Sequence, residues 1–177
     1  MPTPESTGAS QLARLRFEQL QALVGTWWGS GTGRFPTVED FAYEESLRIT
    51  GREEGPLQLH YEQQTWLVHE SGQREPSHWE TGFFSITDEG LLEVLNAQTS
   101  GRVEVLQGHL TQEAVGSAEA TLHLRFSSSL HGHDPRMRAT TRRLWVRPNQ
   151  LRYEVLMATD SVPELTQHLT AELTRQA

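Results

Sequence analysis

Apolar residues follow two rhythms along this chain, and the change comes at Gly25. Over residues 11–24, Leu12, Leu15, Leu20, Leu23 and Val24 recur near helical spacing, with Arg14, Glu18 and Gln21 on the other side. That pattern predicts one amphipathic helix with its leucine face turned inward, ended by Gly25. After Gly25 the apolar positions alternate or run in short pieces: residues 41–49, 57–61, 65–68, 81–87, 91–98, 102–110, 120–126, 138–146 and 151–157. Such pieces read as strands. The separators carry turn residues, among them Ser71-Gly72, Asp88-Glu89-Gly90, Ser100-Gly101, Gly116-Ser117 and Pro148-Asn149. Consecutive strands joined by short turns make an up-and-down antiparallel sheet. About ten strands behind a single helix is more than one flat layer usually carries, and closure removes the exposed edges, so an all-β barrel is predicted.

The last segment, residues 162–174, fits two periods. Leu165, Leu169 and Leu173 at steps of four suit a helix. Leu169, Ala171 and Leu173 against His168, Thr170, Glu172 and Thr174 suit a strand. A closing strand agrees with the barrel and is the reading adopted. Residues 1–9, rich in Pro, Ser, Thr and Gly, are expected to be a disordered tail, leaving residues 10–177 as one barrel domain. No internal repeat suggests a propeller or solenoid.

Composition narrows the function classes. The net charge of −8 and the lack of any lysine disfavour a nucleic-acid partner. Arg136, Arg138, Arg142, Arg143 and Arg147 lie on an alternating stretch that reads first as a solvated strand face. Without cysteine there is no disulfide, thiolate metal site or cysteine nucleophile. The N-terminus lacks the basic start and apolar run of a signal peptide, and no segment approaches ~20 apolar residues, so a cytoplasmic protein with no membrane partner is expected. His131 and His133 form an H-x-H pair with no third ligand placed by spacing, which reads better as a polar loop than as a metal site.

Gly25-Thr-Trp27-Trp-Gly29-Ser-Gly31 fits the pattern G-x-W-x-G-x-G and runs on to Phe35-Pro36-Thr37. Small residues there let a first strand bend and let another backbone or a ligand come close. Four further stretches follow in order: Pro76-Ser-His78-Trp-Glu80-Thr-Gly82-Phe83, Asn96 to Val105, Leu151-Arg-Tyr153 to Met157, and Gln167-His168-Leu169 with Ala171 and Leu173. Together these five motifs resemble the nitrobindin family over roughly residues 11 to 175.

The resemblance implies an antiparallel barrel of about ten strands, akin to lipocalin and fatty-acid-binding-protein barrels, with haem b in its open mouth. It implies that His168 is the axial iron ligand and that His78 lies near the other haem face. From the residues alone, His78 could bond an anion, stack on a porphyrin or pair with Glu80. Thr37 matches a position close to the haem, and Arg138 is the basic residue assigned to the propionates. The implied activity is isomerisation of peroxynitrite to nitrate by the ferric form, with nitric oxide binding by the ferrous form. A homodimer is implied by the same resemblance. The residues leave a second reading open: a non-enzymatic barrel that carries a lipid or another apolar small molecule.

Overall fold

A computed structural model describes residues 10–52, 55–113 and 120–177; the expected tail 1–9 and the Gly116-Ser117 turn lie outside them. Helix α1 (Gln11–Leu20) starts at Ser10, whose hydroxyl accepts from the Ala13 backbone N–H at 3.1 Å, and runs into a short 3₁₀ turn, Gln21–Leu23. Ten strands follow: β1 (Gly25–Phe35), β2 (Val38–Gly51), β3 (Gln58–Val68), β4 (Arg74–Ile86), β5 (Leu92–Gln98), β6 (Val103–Glu113), β7 (Thr121–Gly132), β8 (Met137–Val146), β9 (Gln150–Thr159) and β10 (Thr166–Arg175). Each pairs antiparallel with its neighbours in sequence, and β10 pairs with β1 to close the barrel. The final segment is therefore a strand. The apolar pieces 57–61 and 65–68 belong to the single strand β3, because a Gln- and Glu-rich middle interrupts hydrophobicity without interrupting the ladder.

The helix turns inward only the later part of its expected apolar face, Leu20, Leu23 and Val24, and its first turns are rotated. Ala13, Leu20 and Leu23 are buried and Phe17 packs against the core, whereas Leu12 and Leu15 are 47% and 54% exposed. The small Ala13 allows close approach, and tertiary contacts fix the rotation. Ser10 Oγ donates to the Asp88 carbonyl, Arg16 donates to the Gly90 carbonyl, and Gln19 bonds Gln112. These partners place α1 over one end of the barrel. There Trp27 is fully buried, its Nε1 donates to the Leu23 carbonyl at 2.9 Å, and the Arg175 guanidinium lies 4.0 Å from its ring centroid. Leu59, Leu92, Leu106, Leu124, Leu151 and Leu173 fill this end, each fully buried aliphatic side chain contributing about 1.5–3 kcal/mol.

At the other end, ringed by the turns at residues 36–37, 69–73, 99–102, 133–136 and 160–165, the alternation breaks. Register shifts fall at Gly33/Phe35, Gln167/Leu169, Gln64/Trp66, Val105/Leu106 and Met137/Ala139, all in the strand halves nearest these turns. A bulge adds a residue to one strand and re-aims the side chains beside it.

Candidate functional site

A cavity of about 320 Å³ opens at the bulged end. Phe41, Ser77, His78, Ser100, Arg102, Met157, His168 and Leu169 line its mouth; Leu47, Phe84, Val94, Phe126 and Leu144 line its floor.

His168 owes its position to a bulge. On β10 the side chains of Ala171 and Leu173 are buried, so strict alternation would turn Leu169 inward and His168 outward. Both line the cavity, because His168 has no ladder partner on β9 and the register jumps from Gln167 to Leu169. Arg34, facing it on β1, is likewise skipped in the pairing with β2. Its free carbonyl lies 3.3 Å from His168 Nδ1. A carbonyl only accepts, so Nδ1 carries the hydrogen and Nε2 is left as the lone-pair nitrogen. The Phe35 and Phe41 rings stand edge-on to the imidazole at 5.7 and 6.4 Å. Burial lowers the pKa of His168, outweighing the bond to Arg34, and the charges of Arg102 and His78 lower it further, so the ring is held neutral.

His78 is delivered in a similar way. Thr65 on β3 faces the extra residues Ser77 and His78 of β4, and its hydroxyl accepts from the His78 backbone N–H at 3.2 Å. The His78 ring lines the mouth and its Nε2 lies 3.2 Å from the Glu80 carboxylate.

Two other expected residues lie elsewhere. Thr37 is exposed in the β1–β2 turn, outside the cavity lining. Arg138 is the bulged residue of β8, points to solvent and bonds Asp160 at 2.6 Å. The cation at the mouth is Arg102, in the β5–β6 turn, bonded to Asp134 at 2.9 Å with its buried Nε unpartnered. His131, expected in a loop, sits on β7 with its Nε2 3.0 Å from the Thr140 hydroxyl.

The arginine stretch is not uniformly a solvated face either. Arg142 turns inward, donating to Glu80 at 2.8 Å and to Glu104 at 2.9 Å. Burial opposes ionisation of both carboxyls, but Arg142, helped by His78 at Glu80 and by Thr140 at Glu104, outweighs it and holds both below the usual carboxylate range. Glu45 has no such partner. It accepts from Gln63 at 2.8 Å and meets the Tyr153 hydroxyl at 2.5 Å, and burial pushes its pKa up to about 8. Tyr153 in turn meets the Tyr43 hydroxyl at 2.9 Å. Of these carboxylates only Glu80 stood out in the sequence, as a partner for His78, yet a signal for all three was present. Glu45 shares the inward phase of Tyr43 and Leu47, Glu80 that of Phe84, and Glu104 that of Leu106.

The glycine motif acts from inside the wall. A Cβ on Gly31 would collide with the Tyr43 ring and the Thr170 carbonyl, and one on Gly33 with the Phe41 ring. Their absence lets both rings of β2 lie across β1 toward β10. Tyr43 uses that room to reach the Thr170 carbonyl at 3.2 Å.

Comparison with known proteins agrees with this geometry. A peroxynitrite isomerase of Arabidopsis thaliana is 35% identical over 154 residues, covering 87% of this chain and 85% of the relative. A peroxynitrite isomerase 1 of Rhodococcus jostii is 33% identical over 157 residues, covering 88% and 82%. The crystal structure of Rv2717c from M. tuberculosis matches with a TM-score of 0.79 at 29% identity, covering 92% of this chain and 98% of that one. The model of the THAP4-like, heme-binding beta-barrel domain matches residues 16–175. With ten strands closed around a cavity that a histidine enters from a bulge, and with that match over nearly its whole length, the chain belongs to the THAP4-like haem-binding β-barrel family.

Proposed function

We propose that this chain holds haem b at the open end of the barrel, with His168 as axial ligand, and that the loaded protein isomerises peroxynitrite to nitrate. One observation carries the reading: the neutral His168 imidazole has its Nδ1–H engaged by the Arg34 carbonyl, so Nε2 offers its lone pair to a metal. That arrangement orients a metal-binding histidine and selects its tautomer. Further support comes from the mouth. Leu169, Met157, Val155 and Phe41 offer apolar contact to a macrocycle, and the unpartnered Nε of Arg102 is a buried donor suited to a propionate. Arg102 is the better propionate partner than Arg138, whose charge is engaged by Asp160 in solvent. The names of the curated relatives support the activity.

When bound, the haem would supply a ferric iron that takes up an anion, the chemistry that peroxynitrite isomerisation needs, and its ferrous form would take nitric oxide. The chain's own part is to fix the imidazole, to supply apolar walls, and to keep water out from below through the plug of α1 and Trp27. His78 lines the mouth with its Nε2–H given to the Glu80 carboxylate, which fixes the ring on the cavity side.

The test is a haemin titration of wild type and His168→Ala, followed by stopped-flow peroxynitrite decay and nitrate yield. A shifted Soret band in wild type that the substitution abolishes, and decay faster than buffer, are expected. A Soret band unchanged by the substitution would overturn the ligand assignment, and decay at the buffer rate the activity.

A further inference from the structure

Beneath the mouth, the cavity walls carry more negative than positive chemistry. Among the described residues that line it, Glu45, Glu80 and Glu104 are the carboxylates, while Arg142 is the cation at their level; Arg102 lies at the rim with Asp134. Arg142 is engaged on both sides, Nη1 by Glu80 and Nη2 by Glu104, while its buried Nε has no partner. The two nearby histidines touch these same carboxylates, His78 at Glu80 and His131 at Glu104. Glu45, fully buried, has only uncharged partners: Gln63 from β3 and Tyr153 from β9. Glu80 and Arg142 act on it from a distance with opposite sign, and Tyr43 shares its strand.

Two further observations ask for a donor. Asn96, 6% exposed and on the inward phase of β5 between the cavity residues Val94 and Gln98, has a buried Oδ1 that no donor meets. Aromatic rings also surround the space: all three tyrosines of the chain, Tyr43, Tyr61 and Tyr153, line it, with Phe84 and Phe126 below. Ring faces attract cations, and more strongly where water is excluded. A carboxylate head at this level would face the ionised Glu80 and Glu104, with Arg142 already bonded to both, which disfavours a fatty acid there.

We propose that the inner half of this cavity is a second binding site, for a small amphiphilic amine whose ammonium sits among the aromatic rings against Glu45 and whose hydrocarbon covers the floor. The whole cavity measures about 320 Å³, and its inner half is smaller still, which suits a short chain. Because burial keeps Glu45 protonated up to about pH 8, taking up an ammonium ionises it and releases one proton to solvent. Affinity therefore rises with pH up to that value, by at most about tenfold per unit. The inference goes beyond the haem reading and does not depend on it.

The experiment is calorimetric titration of the haem-free full-length chain with n-octylamine, n-octanol and octanoate, in two buffers of different ionisation enthalpy, with circular dichroism as the check on folding. Saturable amine binding is expected, with about one proton released at neutral pH and octanoate at least about tenfold weaker. Glu45→Gln keeps the octanol affinity and loses both the amine preference and the proton release. Equal affinity for octanoate and octylamine, no binding of the amine, or an amine preference that survives Glu45→Gln would overturn the proposal. Should Glu45→Gln fail to fold, the wild-type buffer pair decides: amine binding without proton release overturns it. The Soret titration reports haem binding separately, so either reading can fail alone.

Discussion

The two ends of this barrel are built by different rules. At the end under α1, the ladders keep their register, the inward residues are mostly apolar, and Trp27 with leucines from six strands excludes water. At the other end every register shift of the described ladders occurs, and the inward positions become His168, His78, Glu80, Glu104 and Arg142. The first end supplies the stability that the second consumes: buried ions and bulged ladders are costly, and they persist because the surrounding strands are held elsewhere. The difference teaches that the site is less a matter of which residues are present than of where the ladder slips.

Substitutions at the two ends should therefore separate stability from binding. The largest effect expected is at the plug: Trp27→Ala should cost about 3–5 kcal/mol in urea unfolding, by leaving a cavity under the helix and orphaning the Arg175 ring contact. A loss below about 1 kcal/mol would break the comparison.

Deleting Gln167 lets His168 take its place in the ladder opposite Leu156, which abolishes the β10 bulge and turns His168 to the outside. Haem affinity, read from the Soret band, should fall as far as in His168→Ala, by about 100-fold or more, while the melting temperature drops less than in Trp27→Ala. Retained haem binding would mean that the bulge does not aim the histidine.

Glu45→Gln sharpens the contrast through pH. The carboxyl of Glu45 is raised from 4.5 to about 8 on folding, so between those values the folded chain holds a proton that the unfolded chain has lost. Wild-type stability from this group is complete below pH 4.5 and declines as pH rises to about 8. The Glu45→Gln variant lacks this decline, so its advantage over wild type should grow across the window, by at most about 1.4 kcal/mol per pH unit, and level off above it. Parallel melting curves from pH 5 to pH 8 would contradict the burial of an unpaired carboxyl.

The smallest effects expected are at the rim. Arg138→Ala should change stability by less than about 1 kcal/mol, since its bond to Asp160 is solvated, and should leave haem affinity unaltered. Arg102→Ala should weaken haem binding by roughly tenfold, the scale of one charge-assisted contact. The reverse order would return the propionate role to Arg138.

Much of the fold was legible because strand periodicity and turn residues are local signals. The ambiguous segment 162–174 became legible only through closure: a strand there completes the β1–β10 seam. The face of the first helical turns differs from expectation because Ala13 and Phe17, not Leu12 and Leu15, meet the sheet, and docking against the Asp88–Gly90 turn is not a local property. At the site, the resemblance singled out His168 and His78, both of which line the mouth, whereas Thr37 and Arg138 lie outside the lining. Arg102 carries no periodic signature because it sits in a turn, and Arg142 looked like one member of a solvated arginine run.

By itself the sequence determined the class of structure: one helix, short alternating strands, turns close enough to join neighbours, and glycines where a strand wall must be thin. It determined the inventory of the site as well, down to the absence of cysteine. Only the tertiary structure decided which way each side chain faces near the mouth. Alternation has a period of two, so a single unpaired residue inverts inside and outside for everything on one side of it, and where that residue falls depends on the neighbouring strand. His168 turned inward and Arg138 turned outward are the two consequences that matter most here.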